Sequence, residues 1–178
     1  MQRLACGDGA ALEPLVERHQ GRLFRIALAY LRDEAEALDV VQETFMKAFT
    51  HAGTLRADAP VTPWLTRIAI NAAVDRYRRG RRRRLSEEPL EQDGRERPIP
   101  DETPSAERRV QGRELSERIG TAIRCLPERE RAVFVLRHHE EMSLAEIAET
   151  LGLRIGTVKS TLHRAIHHMR ERLAEVRP

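Results

Sequence analysis

The segment from Ser143 to Arg164 constrains this chain most strongly, because its pattern predicts two short helices that meet at a glycine. Apolar residues recur on one face of each helix, at the spacing that an amphipathic helix requires. They are Leu144, Ile147, Ala148 and Leu151 on the first helix, and Ile155, Val158 and Leu162 on the second. The segment is therefore predicted to be a helix-turn-helix.

The other positions of this segment support a DNA-reading function. Ala148 is small where the second helix crosses, Gly152 supplies the turn and Val158 fills the crossing point. Ser143 and Glu146 form a capping box at the start of the first helix. The outward positions of the second helix are polar or basic, as in helices that contact phosphates and base edges: Thr157, Lys159, Ser160, His163 and Arg164. The alternative is an ordinary helical hairpin with a solvated face.

Composition indicates a soluble helical protein with modest hydrophobic cores. The chain has 178 residues, 33% of them charged and 4% aromatic, and a polar break near the middle favours two small domains. No apolar run approaches membrane-spanning length and the N-terminus lacks a signal peptide, so we expect a cytoplasmic protein without membrane insertion.

Neither a metal site nor an enzyme active site is predicted. Cys6 and Cys125 lie far apart without metal-like spacing, and reduced thiols are expected. His163 and His167 have a spacing that can bind metal, but no cysteine or carboxylate is placed to complete the shell. The chain lacks a phosphate-binding glycine loop, a nucleophile elbow and a zinc-protease signature. We therefore expect no cofactor, no metal and no catalytic activity.

Charge is segregated although the net charge is only +3. One basic block contains Arg76, Arg78, Arg79, Arg81, Arg82, Arg83 and Arg84. Residues 85–107, with four prolines and eight acidic against two basic side chains, are predicted to be a flexible acidic linker. The expected fold is all-α, with helical domains at residues 1–84 and 108–178, and the basic block indicates a polyanionic partner.

Helical periodicity organises the first domain. Residues 10–31 are predicted to form two helices or one bent helix, and Asp33 is expected to cap the next helix with Glu36 reaching back. The buried stripe of that helix is predicted to be Leu38, Val41, Phe45, Ala48, Phe49 and Ala52. A second row beside it, consisting of Asp39, Gln42, Glu43 and Met46, is either a solvated face or a protein-binding ridge.

A further helix of the first domain is expected to begin after a loop. Thr62 is the predicted cap, Pro63 the first helical residue, and Trp64 lies on the inward side. Asn71 lies two turns later and either makes a specific hydrogen bond or is merely exposed. In the second domain, helical periodicity resumes near Ala106 with Leu115 inward, and Pro127 opens another helix.

Four segments together resemble the bacterial extracytoplasmic-function (ECF) sigma factors of RNA polymerase. They are DEAEALDVVQETFMKAF, TPWLTRIAINAAVDRYRR, LPERERAVFVLR and SLAEIAETLGLRIGTVKSTLHRA, and the similarity covers nearly the whole chain. The resemblance implies a transcription initiation factor that binds core RNA polymerase and promoter DNA. It also implies a separate anti-sigma protein as a regulator.

The resemblance assigns roles to residues that spacing alone leaves open. It implies a polymerase-binding ridge at Asp39, Gln42, Glu43 and Met46. It implies -10 DNA binding by Leu55, Arg56, Ala57, Asp58, Trp64, Asn71, Arg76, Arg78 and Arg79, with a flipped base received near Asn71. It implies -35 DNA binding by Arg154, Thr157, Lys159, Ser160, His163 and Arg164.

The chain departs from the family pattern in its -35 reader. Arg154 stands where proline is frequent, Thr161 where arginine is common, and residues 138–141 are unusual, so the -35 preference is expected to be particular to this protein. Two rival functions are a conventional helix-turn-helix regulator and a sigma-like decoy that binds polymerase without supporting transcription. The first would need a dimerisation or receiver domain, and the intact arginine block weighs against the second.

Overall fold

A computed structural model of the chain describes residues 4, 8–56, 59–86 and 106–175. Seven α-helices and no strand occur within these ranges, which confirms the predicted all-α class. The helices are α1 (Glu13–Leu31), α2 (Glu34–His51), α3 (Val61–Ser86), α4 (Ala106–Cys125), α5 (Glu128–His138), α6 (Leu144–Leu151) and α7 (Ile155–Glu175). Most of the predicted linker, at residues 87–105, lies outside the described residues.

The local signals place most helix ends correctly. Helix α1 is a single helix that continues through Gly21 and ends at Leu31, because the next residue, Arg32, has a positive φ of 59°. Asp33 caps α2 as predicted, because its Oδ1 accepts a hydrogen bond from the Glu36 N–H at 2.9 Å. The Glu36 side chain does not reach back to complete a capping box; it binds Arg76 at 2.8 Å. Helix α3 begins at Val61, before the predicted cap at Thr62.

Helices α1, α2 and α3 pack together around a small apolar core. Ile26, Tyr30, Val40, Leu65 and Ala69 are fully buried in it. Burying this much leucine, isoleucine, valine and alanine is the main stabilising contribution to such a helical layer. These helices form the body that carries the predicted polymerase and -10 residues.

Helices α4 to α7 form the second group, in which α5, α6 and α7 pack around Val133, Leu136, Ile147 and Val158. The core of this group is continuous with that of the first. Leu115, predicted to point inward from α4, is exposed. That prediction was wrong because the helical period places a residue on a face but does not tell how far the neighbouring helix extends over it.

Arg131 of α5 joins the two groups of helices. Its fully buried guanidinium lies 3.8 Å from the ring centroid of Tyr77 on α3 and 4.9 Å from that of Tyr30 on α1. It also donates hydrogen bonds to the carbonyl oxygens of Arg124 and Leu126. A buried cation needs such contacts to offset its lost hydration, and here aromatic faces and helix-end carbonyls provide them.

Candidate nucleic-acid interface

The helix-turn-helix consists of α6 and the first half of α7. Ser143 Oγ accepts from the Glu146 N–H at 3.2 Å and Glu146 Oε2 accepts from the Ser143 N–H at 2.7 Å, so the predicted capping box is confirmed. Gly152 has φ 65°, a left-handed conformation that glycine adopts without steric cost. Val158 and Ala148 are buried where the helices cross. The predicted turn and crossing are therefore present.

The outer face of α7 is accessible for binding. The side chains predicted for -35 DNA are all exposed there or just before the helix: Arg154, Thr157, Lys159, Ser160, His163 and Arg164. The protein thus presents polar and basic groups on the helix that a major groove would receive. Within the described residues no group of three or more potential ligands is placed to hold a metal ion, and His167 pairs with Glu171 at 3.3 Å.

Two positions of α7 differ from expectation. Ile155, assigned to the apolar face, is 54% exposed because it lies at the first turn, beyond the crossing with α6. Thr161 is only 3% exposed and accepts a hydrogen bond from Arg164 Nη2 at 3.4 Å. The Thr161 hydroxyl therefore contacts Arg164 and does not itself face the solvent.

The predicted ridge lies along the solvent side of α2. Asp39 and Gln42 are exposed, Met46 is 72% exposed, and Glu43 is partly covered by an ion pair with Lys47 at 2.7 Å. Leu38 and Phe49, predicted to be buried, are exposed on the same side, and Leu38 reaches 54%. Their spacing matches the helical period, but Ala37, Val40 and Thr44 occupy the buried side instead. The exposed ridge is therefore more apolar than the sequence indicated.

The predicted -10 residues lie on α3 and on the loop before it. The Asn71 side chain is exposed and makes no hydrogen bond within the described part of the chain, whereas Trp64, two turns earlier, is partly buried. Leu55 is partly buried and Arg56 exposed. The remaining two loop residues of the prediction, Ala57 and Asp58, lie outside the described residues.

Carboxylates hold three arginines of the basic block. Arg76 Nη1 donates to Glu36 at 2.8 Å and to Asp39 at 2.5 Å, and although burial opposes it, these bonds raise the pKa of Arg76. Arg79 lies 4.0 Å from Glu43. The structure thus brings the predicted ridge on α2 and the predicted DNA surface on α3 side by side.

Arg78 reaches the second group of helices. Its Nε and Nη2 donate to the Glu128 carboxylate at 2.6 to 2.9 Å, and this hydrogen bonding lowers the pKa of Glu128. This forked contact uses the Nε and Nη2 edge of the guanidinium, which is an edge that a phosphate would also use. Sequence alone gave no indication of this contact, because the residues are 50 positions apart in the chain.

Comparisons with known proteins agree with these two groups of helices. Residues 15–83 match the family model for Sigma-70 region 2, and residues 116–169 match that for Sigma-70 region 4. The ECF RNA polymerase sigma factor SigM of Mycobacterium tuberculosis is 35% identical over 96% of this chain and 79% of its own length. The chain belongs to the ECF sigma factor family. The predicted family resemblance is confirmed.

Further relatives show the same pattern. This ECF sigma factor is 33% identical to SigE of Mycolicibacterium smegmatis over 96% of the chain, but it spans only 66% of the SigE length. Among solved structures, CnrH in complex with the cytosolic domain of CnrY superposes with a TM-score of 0.70 at 26% identity. That likeness covers 99% of this chain and 96% of CnrH. Sigma factors are transcription initiation factors. Separately, none of the described helices is both long and apolar enough to cross a membrane.

Proposed function

We propose that this protein binds core RNA polymerase, directs it to specific promoters through -35 and -10 recognition, and helps to open promoter DNA. The observation that carries the proposal is the presence of both sigma regions in one chain, with an exposed basic face on the second helix of the helix-turn-helix. The protein acts in the cytoplasm without catalytic activity of its own, and needs no cofactor or metal.

The proposed division of labour follows the two groups of helices. Residues 1–84 bind the polymerase and the -10 element, and residues 108–178 bind the -35 element. Residues 85–107 connect these two domains. On α7, Arg154, Lys159 and Arg164 supply positive charge, and Thr157, Ser160 and His163 supply hydrogen-bonding groups to base edges.

The ridge on α2 is proposed to dock on core polymerase. Exposed Leu38, Met46 and Phe49 form an apolar strip there, next to the polar Asp39, Gln42 and Glu43. A strip of this kind on a folded surface supports a protein partner, because apolar groups gain free energy when a second surface covers them.

Helix α3 is proposed to receive the -10 element. Asn71 has no hydrogen-bond partner among the described residues, so its amide is available to the edge of a base flipped out of the stack. Trp64, Leu55, Arg56, Ala57 and Asp58 would form the rest of that pocket. Arg76, Arg78 and Arg79 would contact the DNA backbone, which makes this contribution strongly salt-dependent.

An anti-sigma protein is proposed as the regulator. CnrH, which shares the fold over nearly its whole length, was solved in complex with the cytosolic domain of CnrY. The apolar strip on α2 is a surface that such a regulator could cover, and covering it would exclude polymerase.

Run-off transcription tests the proposal directly. Purified protein is mixed with sigma-free core polymerase and a template that carries the region upstream of its own gene. Specific transcripts that require both components are expected. Operator binding as a dimer without polymerase would instead indicate a conventional regulator, and polymerase binding without transcripts would indicate a decoy.

A further inference from the structure

A buried carboxylate on α5 lies beneath the DNA-facing side of α7. Glu130 is only 6% exposed, unlike Glu128 and Arg129 beside it, and its side chain points toward α7. A carboxylate loses its hydration when it is buried, so it persists in such a position only with partners that replace the water.

Two side chains on α7 provide those partners. His168 Nδ1 lies 2.7 Å from Glu130 Oε2, so that the ring N–H donates to the carboxylate. Arg164, one turn earlier on the helix, places Nε 3.4 Å from Glu130 Oε1. Each carboxylate oxygen therefore has one cationic or hydrogen-bonding partner from the same helix.

Arg164 is held at a second point as well. Its Nη2 donates to the hydroxyl of buried Thr161 at 3.4 Å, while its side chain remains 61% exposed. Nε and one N–H of Nη2 thus face inward. These contacts occupy Nε and one N–H of Nη2, so the N–H groups of Nη1 and the second N–H of Nη2 are left for a ligand of this largely exposed side chain.

This arrangement fixes the orientation of a group that a free arginine would hold in many rotamers. An arginine that presents two parallel N–H groups matches the O6 and N7 acceptors of guanine, which is the most frequent specific side-chain contact in the major groove. Orientation in advance reduces the entropy lost on binding and favours the base over competing phosphates.

We propose that Glu130 is a positioning residue that presents Arg164 to one guanine of the -35 element. The inference rests on the proposed function, since it requires α7 to read promoter DNA. Glu130 does not touch the DNA, and its effect is confined to the base pair that Arg164 contacts. His168 supports it by holding the second carboxylate oxygen.

The test uses polymerase reconstituted with the full chain and a promoter library randomised across the -35 region, with transcripts sequenced. The wild-type protein should prefer guanine at one position, and Arg164→Ala should remove that preference. Glu130→Gln, which keeps the size of the side chain, should reduce discrimination at that position about tenfold, equivalent to about 1.4 kcal/mol. Glu149→Gln, a change at an exposed position of α6, is the matched control and should select as the wild type does.

A double-mutant comparison separates positioning from general stability. If Glu130 acts through Arg164, Glu130→Gln adds no loss in the Arg164→Ala background. Thr161→Val removes the hydrogen bond from Arg164 Nη2 without changing the side-chain volume. It should reduce base discrimination at the same promoter position, which keeps the test valid if Glu130→Gln fails to fold. Thermal unfolding of each variant establishes folding.

Three outcomes would overturn the inference. If Glu130→Gln reduced base discrimination equally at every -35 position, Glu130 would have a merely structural role. If Arg164→Ala weakened binding to all -35 sequences equally, and lowered the slope of log affinity against log salt concentration by about one, Arg164 would be a phosphate contact. Absence of polymerase-dependent transcripts from the wild-type protein would remove the proposed function itself, and the inference with it.

Discussion

Arginines that are proposed to meet DNA already touch carboxylates in the free protein. Arg76 binds Asp39 and Arg78 binds Glu128, and each arginine keeps part of its guanidinium in solvent. Ion pairs this exposed contribute little to stability, typically below about 1 kcal/mol. A phosphate can therefore replace the carboxylate at small cost, and DNA binding becomes an exchange of one anion for another.

Asn71 provides a test of the -10 assignment. Asn71→Ala should leave folding unchanged, because the side chain is exposed. It should slow promoter opening about tenfold, since an extruded base would lose a hydrogen bond to its edge. Permanganate reactivity of unpaired thymines measures opening. Unchanged opening, with Arg164→Ala strongly impaired in -35 binding, would place the -10 pocket elsewhere.

Glu43 provides a test of the ridge. Glu43→Lys should weaken binding to core polymerase about tenfold or more, because it reverses a charge in the middle of the exposed strip on α2. Fluorescence anisotropy of labelled protein titrated with core polymerase gives the affinity. Glu149→Lys makes the same charge change on α6 and should bind normally. Equal affinities for the two variants would show that the ridge is misplaced.

His19 should make folding stability depend on pH. Burial, together with Arg18 and Arg22, lowers the pKa of His19 below its ordinary value. The unfolded chain then binds a proton more readily than the folded protein. The contribution of neutral His19 to the free energy of unfolding is therefore complete above about pH 6.5 and is lost as the pH falls below it. Urea unfolding at pH 7.5 and pH 5 should show a smaller decrease for His19→Gln than for the wild type. An identical decrease would exclude His19 as a source.

At the scale of the helix, sequence pattern determined much of the structure. The capping box at Ser143, the cap at Asp33 and the glycine turn at 152 depend on neighbouring residues, and local spacing was sufficient to predict them. The exposure of Leu38 and Ile155 could not be predicted in this way. Periodicity shows which residues share a face, whereas the element that covers the face depends on tertiary packing.

The turn of the helix-turn-helix offers paired substitutions of opposite sign. Gly152→Ala should destabilise the protein by about 1 to 2 kcal/mol, because alanine is strained at the positive φ of 65°. Gly156→Ala lies within α7 with nothing within 4 Å of an added Cβ, and should be neutral or stabilising by up to about 1 kcal/mol. Urea unfolding measures both. Equal effects would contradict the assignment of the turn.

At the scale of the molecule, contacts between residues far apart in the chain could not be predicted from the sequence. The pairing of Arg78 with Glu128 and of Arg22 with Glu140 joins distant parts of the chain, and no local spacing indicates it. The DNA-facing side of α7 was predicted from residue pattern alone, whereas the polymerase ridge and the -10 surface were assigned only through the family resemblance. The packing of these surfaces against each other is visible only in the three-dimensional structure.

This packing has a consequence for promoter binding. The -35 and -10 elements are about 25 base pairs apart, or roughly 85 Å at 3.4 Å per base pair. A compact chain of 178 residues has a radius of gyration of about 16 Å and a diameter of about 40 Å. One packed body of this size cannot reach both elements, so the proposed function requires the two groups of helices to separate.

Removing the carboxylates between the two groups should therefore favour the separated form. In Glu128→Gln with Glu140→Gln, the ion pairs to Arg78 at 2.6 Å and to Arg22 at 2.9 Å are lost, while the core of each group is untouched. Small-angle X-ray scattering should give a radius of gyration several ångströms larger than that of the wild type. Glu141→Gln with Glu149→Gln changes the same number of charges at exposed positions and should leave it unchanged. An equal radius in all three proteins would mean that Arg131, held between Tyr30 and Tyr77, keeps the groups together without the ion pairs.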